Sequence, residues 1–125
     1  MKYAMLLYAA PDARGKEGPA GPAGEGVFDN WVDYTRALKD AGVLVAAEQL
    51  QVVDTATTVR LRGGERLMTD GPFAETKEHL LGFYLIDVVD LDAALDWAAR
   101  MPLIGFGTVE VRPSKVGMAW QALLE

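Results

Sequence analysis

Thr69-Asp70-Gly71-Pro72-Phe73-Ala74-Glu75-Thr76-Lys77-Glu78-His79-Leu80-Leu81-Gly82-Phe83-Tyr84-Leu85-Ile86-Asp87-Val88 divides into a sharp turn, a short charged segment and a long apolar strand. Pro72 fixes its own φ and pushes Gly71 out of the helical region. Gly71 can take the dihedrals that a tight corner requires. Asp70 is placed to cap the turn by accepting the N–H of Phe73 or Ala74, and Phe73 is expected to fold back as an apolar anchor. In the strand, Leu81, Phe83 and Leu85 fall on one face, and Leu80, Gly82, Tyr84, Ile86 and Val88 on the other. Both faces are largely apolar, and a strand of that kind is usually covered on both sides.

Outward from this stretch, Lys2 to Ala9 is a second strand apolar on both faces: Tyr3, Met5 and Leu7 alternate with Ala4, Leu6 and Tyr8. A lone lysine and a short apolar run give Met1 to Ala10 a weak likeness to a signal peptide, which a first β-strand explains better. Ala10 to Gly26 holds Pro11, Pro19, Pro22 and five glycines, so it is expected to be a loop, either a lid or simply mobile. Phe28, Trp31, Val32, Thr35 and Leu38 recur at helical spacing, predicting a helix over 27–41 with Asp29 in its first turn and Gly42 as its stop. Asp33–Arg36 and Arg36–Asp40 are expected surface pairs.

Val43 to Leu50 reads as extended chain. Glu48 within it lies either at a strand end in water or in a partly buried place that raises its pKa. Thr57–Arg62 and Glu65–Thr69 flank Gly63-Gly64, a hairpin signal. Arg60, Arg62 and Arg66 are expected to face solvent on that hairpin. A second helix follows, with Asp90 as N-cap, Leu91, Ala94, Leu95, Ala98 and Met101 as its apolar face, and Pro102 as its end. Phe106 to Arg112 is the last strand.

The order strand, helix, extended segment with hairpin, strand, helix, strand predicts an α+β fold, the ferredoxin-like βαββαβ sandwich with an extra hairpin. In that plan the first and third strands are central, and they are the two that are apolar on both faces. Helices cover only one side of the sheet. The other side needs a cover, and the simplest is a second copy, so a homodimer packed sheet to sheet is expected. Residues 1–113 form the domain. Residues 114–125, with Trp120, Leu123 and Leu124, form a tail expected to dock on the domain or on the partner.

The 125 residues suffice for one core. With no cysteine, thiol nucleophiles, thiolate metal sites and disulfides are excluded, which is compatible with a cytoplasmic location. A net charge of −6 disfavours nucleic acid, and no apolar run reaches membrane-spanning length. No metal or cofactor is expected.

Met1-Lys2-Tyr3, Ala41-Gly42-Val43-Leu44, the Asp70-Gly71-Pro72-Phe73 block with Ala74-Glu75-Thr76-Lys77-Glu78 behind it, Gly82-Phe83-Tyr84-Leu85-Ile86-Asp87 and Glu110-Val111-Arg112-Pro113 together resemble the YCII-related family in its DGPF-domain subgroup. The resemblance runs nearly end to end. It implies a dimeric α/β barrel and a subgroup often encoded beside extracytoplasmic-function sigma factors. It also implies a His–Asp pair in the cleft of the wider family, some of whose members act as lyases or dehydrochlorinases. The histidine position falls near Trp31 and the aspartate position near Asp40, so that pair is half missing. His79, the sole histidine, is expected to be a strand-start residue.

Three functions are compatible with these residues. The first is a homodimer binding an unknown small molecule in a cleft between sheet and helices. The second is a metal-independent acid/base enzyme of lyase, isomerase or dehydrochlorinase type, with Asp70 and Glu78 as catalytic candidates. Trp31, Glu48, Glu75, Lys77, Tyr84 and Arg112 are the ligand-binding candidates. Carboxylates serve as bases at neutral pH when burial raises their pKa. The third is an accessory partner of a sigma factor.

Overall fold

A computed structural model describes residues 1–10, 30–104, 106–115 and 123. The 10–26 loop, beyond its first residue, and the 114–125 tail, beyond Ser114, Lys115 and Leu123, lie outside the described residues. The elements in chain order are β1 Lys2–Ala9, α1 Trp31–Asp40, β2 Leu44–Gln49, a 3-10 turn Val53–Thr55, β3 Thr57–Arg62, β4 Glu65–Asp70, β5 His79–Asp87, α2 Leu91–Ala99 and β6 Gly107–Pro113.

A four-stranded antiparallel sheet runs β2-β5-β1-β6, and β3-β4 form a separate two-stranded sheet. This mixed α+β arrangement is compatible with the ferredoxin-like plan. The two strands apolar on both faces, β1 and β5, are the central pair. Pro113 closes β6 at an edge, where a missing backbone donor is tolerated.

One face of the sheet is the core. Tyr3, Met5, Leu7 and Ala9 of β1 and Tyr84 and Ile86 of β5 are buried there against Tyr34 and Leu38 of α1 and Ala94 and Ala98 of α2. Met101 and Leu103, just past α2, complete it. Each large side chain so buried contributes roughly 1.5–3 kcal/mol.

The strict alternation expected of β5 breaks at one place. Leu7 pairs with Gly82 and Tyr8 with Leu80, so Leu81 is an extra residue in a β-bulge. The bulge reverses the parity, and Leu81 is buried with Tyr84 and Ile86 rather than sharing a face with Phe83 and Leu85. On the opposite face, Ala4, Leu6, Tyr8, Leu80, Phe83 and Leu85 remain partly exposed. Among the described residues, none of these belongs to the core or to the side chains packed on it.

Helix α1 begins later than expected. Asn30 is the N-cap: its side chain accepts the Asp33 N–H at 2.8 Å. The buried stripe is Tyr34 and Leu38 with Trp31 partly buried, whereas Val32 is 63% exposed. The tyrosine took the inward position that its neighbours were expected to share. The C-terminus is a Schellman motif: Val43 N–H donates to Leu38 O at 3.2 Å and Gly42 N–H to Lys39 O at 3.0 Å. Gly42 has φ +74°, the left-handed conformation that motif requires. In α2 the expected cap forms, Ala93 N–H donating to Asp90 Oδ1 at 2.9 Å. Leu91 and Leu95 of its expected apolar face are nevertheless exposed, and Trp97 packs on the core instead.

The turn after β4 has Gly71 at φ +102°, as its sequence requires. It is tied to β3 by Gly71 N–H donating to Ala56 O at 2.8 Å and Thr58 Oγ1 donating to Gly71 O at 2.7 Å. Phe73 does not fold back. It is 73% exposed, with the Arg60 guanidinium 4.8 Å above its ring. Among the described residues, the β3–β4 hairpin pairs with no strand of the main sheet, and neither it nor this turn contributes to the core. Val59, Leu61 and Met68, which share one face of the hairpin by register, are exposed. No described helix is long and apolar enough to cross a membrane.

Among the described glycines, Gly82 has the tightest backbone approach. A Cβ there would run into the Glu48 carbonyl oxygen and lie 3.2 Å from the Gln49 Cα of β2. Gly82→Ala is therefore expected to lower stability by roughly 1–3 kcal/mol, since the β2 backbone must shift to admit the methyl group. Urea unfolding checks this, and an unchanged midpoint would show that β2 yields freely.

Candidate functional site

Between α1 and the β2–β5 half of the sheet lies a cavity of about 640 Å³. Its position follows from side-chain size. Ala47 of β2 stands opposite Tyr84 of β5, and Gly82 is opposite Gln49. These small residues leave space beneath α1 that larger neighbours would fill. Trp31, Leu7, Ala47, Leu81 and Tyr84 supply apolar walls, and Arg36, Lys39, Asp40, Glu48 and Gln49 stand among the polar lining residues.

One wall is aromatic. Trp31 and Tyr84 lie nearly parallel, 6.4 Å between centroids and 19° between planes. Tyr34 stands edge-on to both, 6.3 Å from Trp31 and 5.5 Å from Tyr84, and also packs edge-on against Trp97 at 6.2 Å. Pairs of this geometry contribute about 0.5–1.5 kcal/mol each beyond their buried area. The Tyr34 hydroxyl donates to Trp97 O at 2.8 Å, tying α1 to α2.

The polar atoms at this wall form a chain. Thr35 Oγ1 donates to the Trp31 carbonyl at 2.7 Å and lies 2.7 Å from Tyr84 Oη. Burial pushes the Tyr84 phenol above its ordinary range. Burial likewise raises Tyr34, helped by its neighbour Tyr84 and opposed by Arg100.

Of the residues singled out in the sequence, Trp31, Glu48 and Tyr84 line this cavity, and Asp40 joins them. Asp70 ends β4 opposite Thr57, on the hairpin. Glu75 and Lys77 are exposed in the connection leading to β5. Glu78 is partly buried, accepting from Thr108 Oγ1 at 3.2 Å. Arg112 is exposed on β6, paired with Ala4 on the sheet's other face, its Nε 3.4 Å from Glu110 Oε2. These five are not among the cavity's lining residues. His79 is the first residue of β5, opposite Ala9.

Thr35, Arg36, Lys39 and Gln49 were not singled out. Thr35 was legible as a polar residue four places after Trp31 on the helix's inward stripe. Arg36 was read as a surface ion-pair residue, and it does lie 3.5 Å from Asp33. Among the described residues, no charged side chain is buried, and no group of three or more His, Asp or Glu could hold a metal ion.

The two raised phenols fix the behaviour at high pH. The unfolded chain ionises tyrosine near the ordinary value of 10.0, while folded Tyr34 and Tyr84 resist ionisation. Stability from these groups is intact below pH 10 and falls as pH rises above it, because only the unfolded state releases the proton. Absorbance at 295 nm, compared between the wild type and the Tyr84→Phe variant, is expected to show the Tyr84 phenol titrating late. Loss of an ordinary transition in that variant would contradict the burial of this cluster.

The YCII-related domain model matches residues 1–116. An uncharacterised protein of Rhizobium meliloti (strain 1021) is 41% identical over 118 residues, covering 90% of this chain and 91% of that protein. The match spans the sheet, both helices and every wall of the cavity, and the chain belongs to the YCII-related family.

Proposed function

We propose that the protein is a homodimer that binds a small, flat, mostly apolar molecule in the cavity between α1 and the sheet. The cavity itself carries this reading. Its volume of about 640 Å³ falls within the range of roughly 300–1,000 Å³ typical of small-molecule sites. Its aromatic wall suits a flat body. Arg36, Lys39 and Asp40 of α1 offer both signs of charge for a polar end.

The second copy is supported by the outer sheet face, where Leu6, Phe83 and Leu85 stand partly exposed at the centre of the sheet. Packing two such faces together removes them from water, as in a dimeric α/β barrel. Acid/base catalysis has less support. Asp70, Glu48 and Glu75 are exposed and Glu78 only partly buried, so none of these four carboxylates is enclosed by apolar walls.

Sedimentation equilibrium is expected to give twice the 13.5 kDa chain mass. Leu6→Glu and Leu85→Glu, which place charge in the middle of that face, are expected to leave folded monomers with an unchanged helical spectrum. A wild-type mass of one chain at micromolar concentration would remove the dimer. For the cavity, Trp31→Ala is expected to weaken binding of a naphthalene-class probe about tenfold or more, by loss of the stacking wall. Unchanged affinity would move the site elsewhere.

A further inference from the structure

We propose that the cavity selects ligands carrying an O–H or N–H donor, and that the oxygen of Tyr84 receives it. This deepens the cavity-binding reading above and rests on it.

The inference comes from counting hydrogens along the chain Tyr84–Thr35–Trp31. The Trp31 carbonyl has no hydrogen to give. Thr35 has one, and Oγ1 places it on that carbonyl at 2.7 Å. The 2.7 Å contact between Thr35 Oγ1 and Tyr84 Oη must then be made by the tyrosine's hydrogen. A hydroxyl has one donor and two acceptor positions. Tyr84 therefore spends its donor on Thr35 and keeps only acceptor capacity for a third partner.

Tyr84 and Thr35 both line the cavity, and the proposal puts this acceptor on its wall. Burial keeps the phenol neutral, which preserves the hydrogen that the chain needs. The direction of the chain is set by backbone, because the carbonyl at its end cannot reverse. A ligand ether or ester oxygen meeting Tyr84 would face lone pair against lone pair, and the buried acceptor would stay unmet. A ligand hydroxyl or amine on a flat ring would satisfy it while the ring lies along Trp31 and Tyr84. The chemical class is thus a neutral aromatic or flat alicyclic alcohol, phenol or amine.

The test compares 2-naphthol with 2-methoxynaphthalene by isothermal titration calorimetry. Wild type is expected to prefer the naphthol by about threefold to tenfold, the equivalent of one neutral hydrogen bond. Tyr84→Phe is expected to abolish that preference. Thr35→Val is the sharper variant. It preserves side-chain shape, leaves Tyr84 in place and frees the phenol hydrogen to donate into the cavity. The preference is then expected to vanish or to turn toward the methoxy compound. A merely structural Thr35 would weaken both probes equally. Equal wild-type affinities, or a naphthol preference that survives Thr35→Val, would overturn the proposal while leaving cavity binding intact. Failure of both probes to bind wild type at millimolar concentration would overturn the cavity reading and this inference together.

Discussion

The antiparallel pairing of β1 with β5 is the contact on which the rest of the molecule depends. It joins residues 2–9 to residues 79–87, so a long loop must close before any of it forms. Apolar side chains on both faces of both strands make that closure favourable. One face receives α1 and α2. The other keeps Leu6, Phe83 and Leu85 partly exposed. The bulge at Leu81 adjusts this pairing at the point where it matters for the cavity. It turns Leu81 inward beside Tyr84 and leaves Gly82 to let β2 come close. Sheet closure and pocket shape are thus set by the same three residues.

The cavity wall is held by aromatic packing rather than by ion pairs. Tyr34 touches Trp31, Tyr84 and Trp97, bridging both helices to the sheet. A tryptophan at position 31 gives the site a broad, rigid surface with no proton to move at neutral pH. Around it the charged side chains of Arg36, Lys39, Asp40 and Glu48 remain exposed.

Much of the fold was legible because it follows from periodicity and punctuation. Alternating apolar residues marked β1 and β5 as central, Gly63-Gly64 marked the hairpin, and Asp90 marked the start of α2. The bulge was not legible, since Leu80 and Leu81 are chemically alike and nothing local says which one is extra. Phe73 was misjudged for a tertiary reason: an apolar residue after a tight turn folds back only where a core lies behind it, and here Arg60 is what it finds. Trp31, Glu48 and Tyr84, expected from the sequence to contact a ligand, line the cavity. Thr35 and Lys39 escaped because a helix surface becomes a cavity wall only through the smallness of Ala47 across from it.

The hairpin carries a consequence for how the chain tolerates change. β2 and β5 are already antiparallel neighbours in the main sheet. Their connection could therefore be only a few residues long, yet it contains a self-paired ribbon with its own turn. Removing or lengthening that ribbon leaves every ladder of the four-stranded sheet in register. The ribbon can therefore change in length or surface chemistry without disturbing the walls of the pocket beneath α1, none of which it supplies.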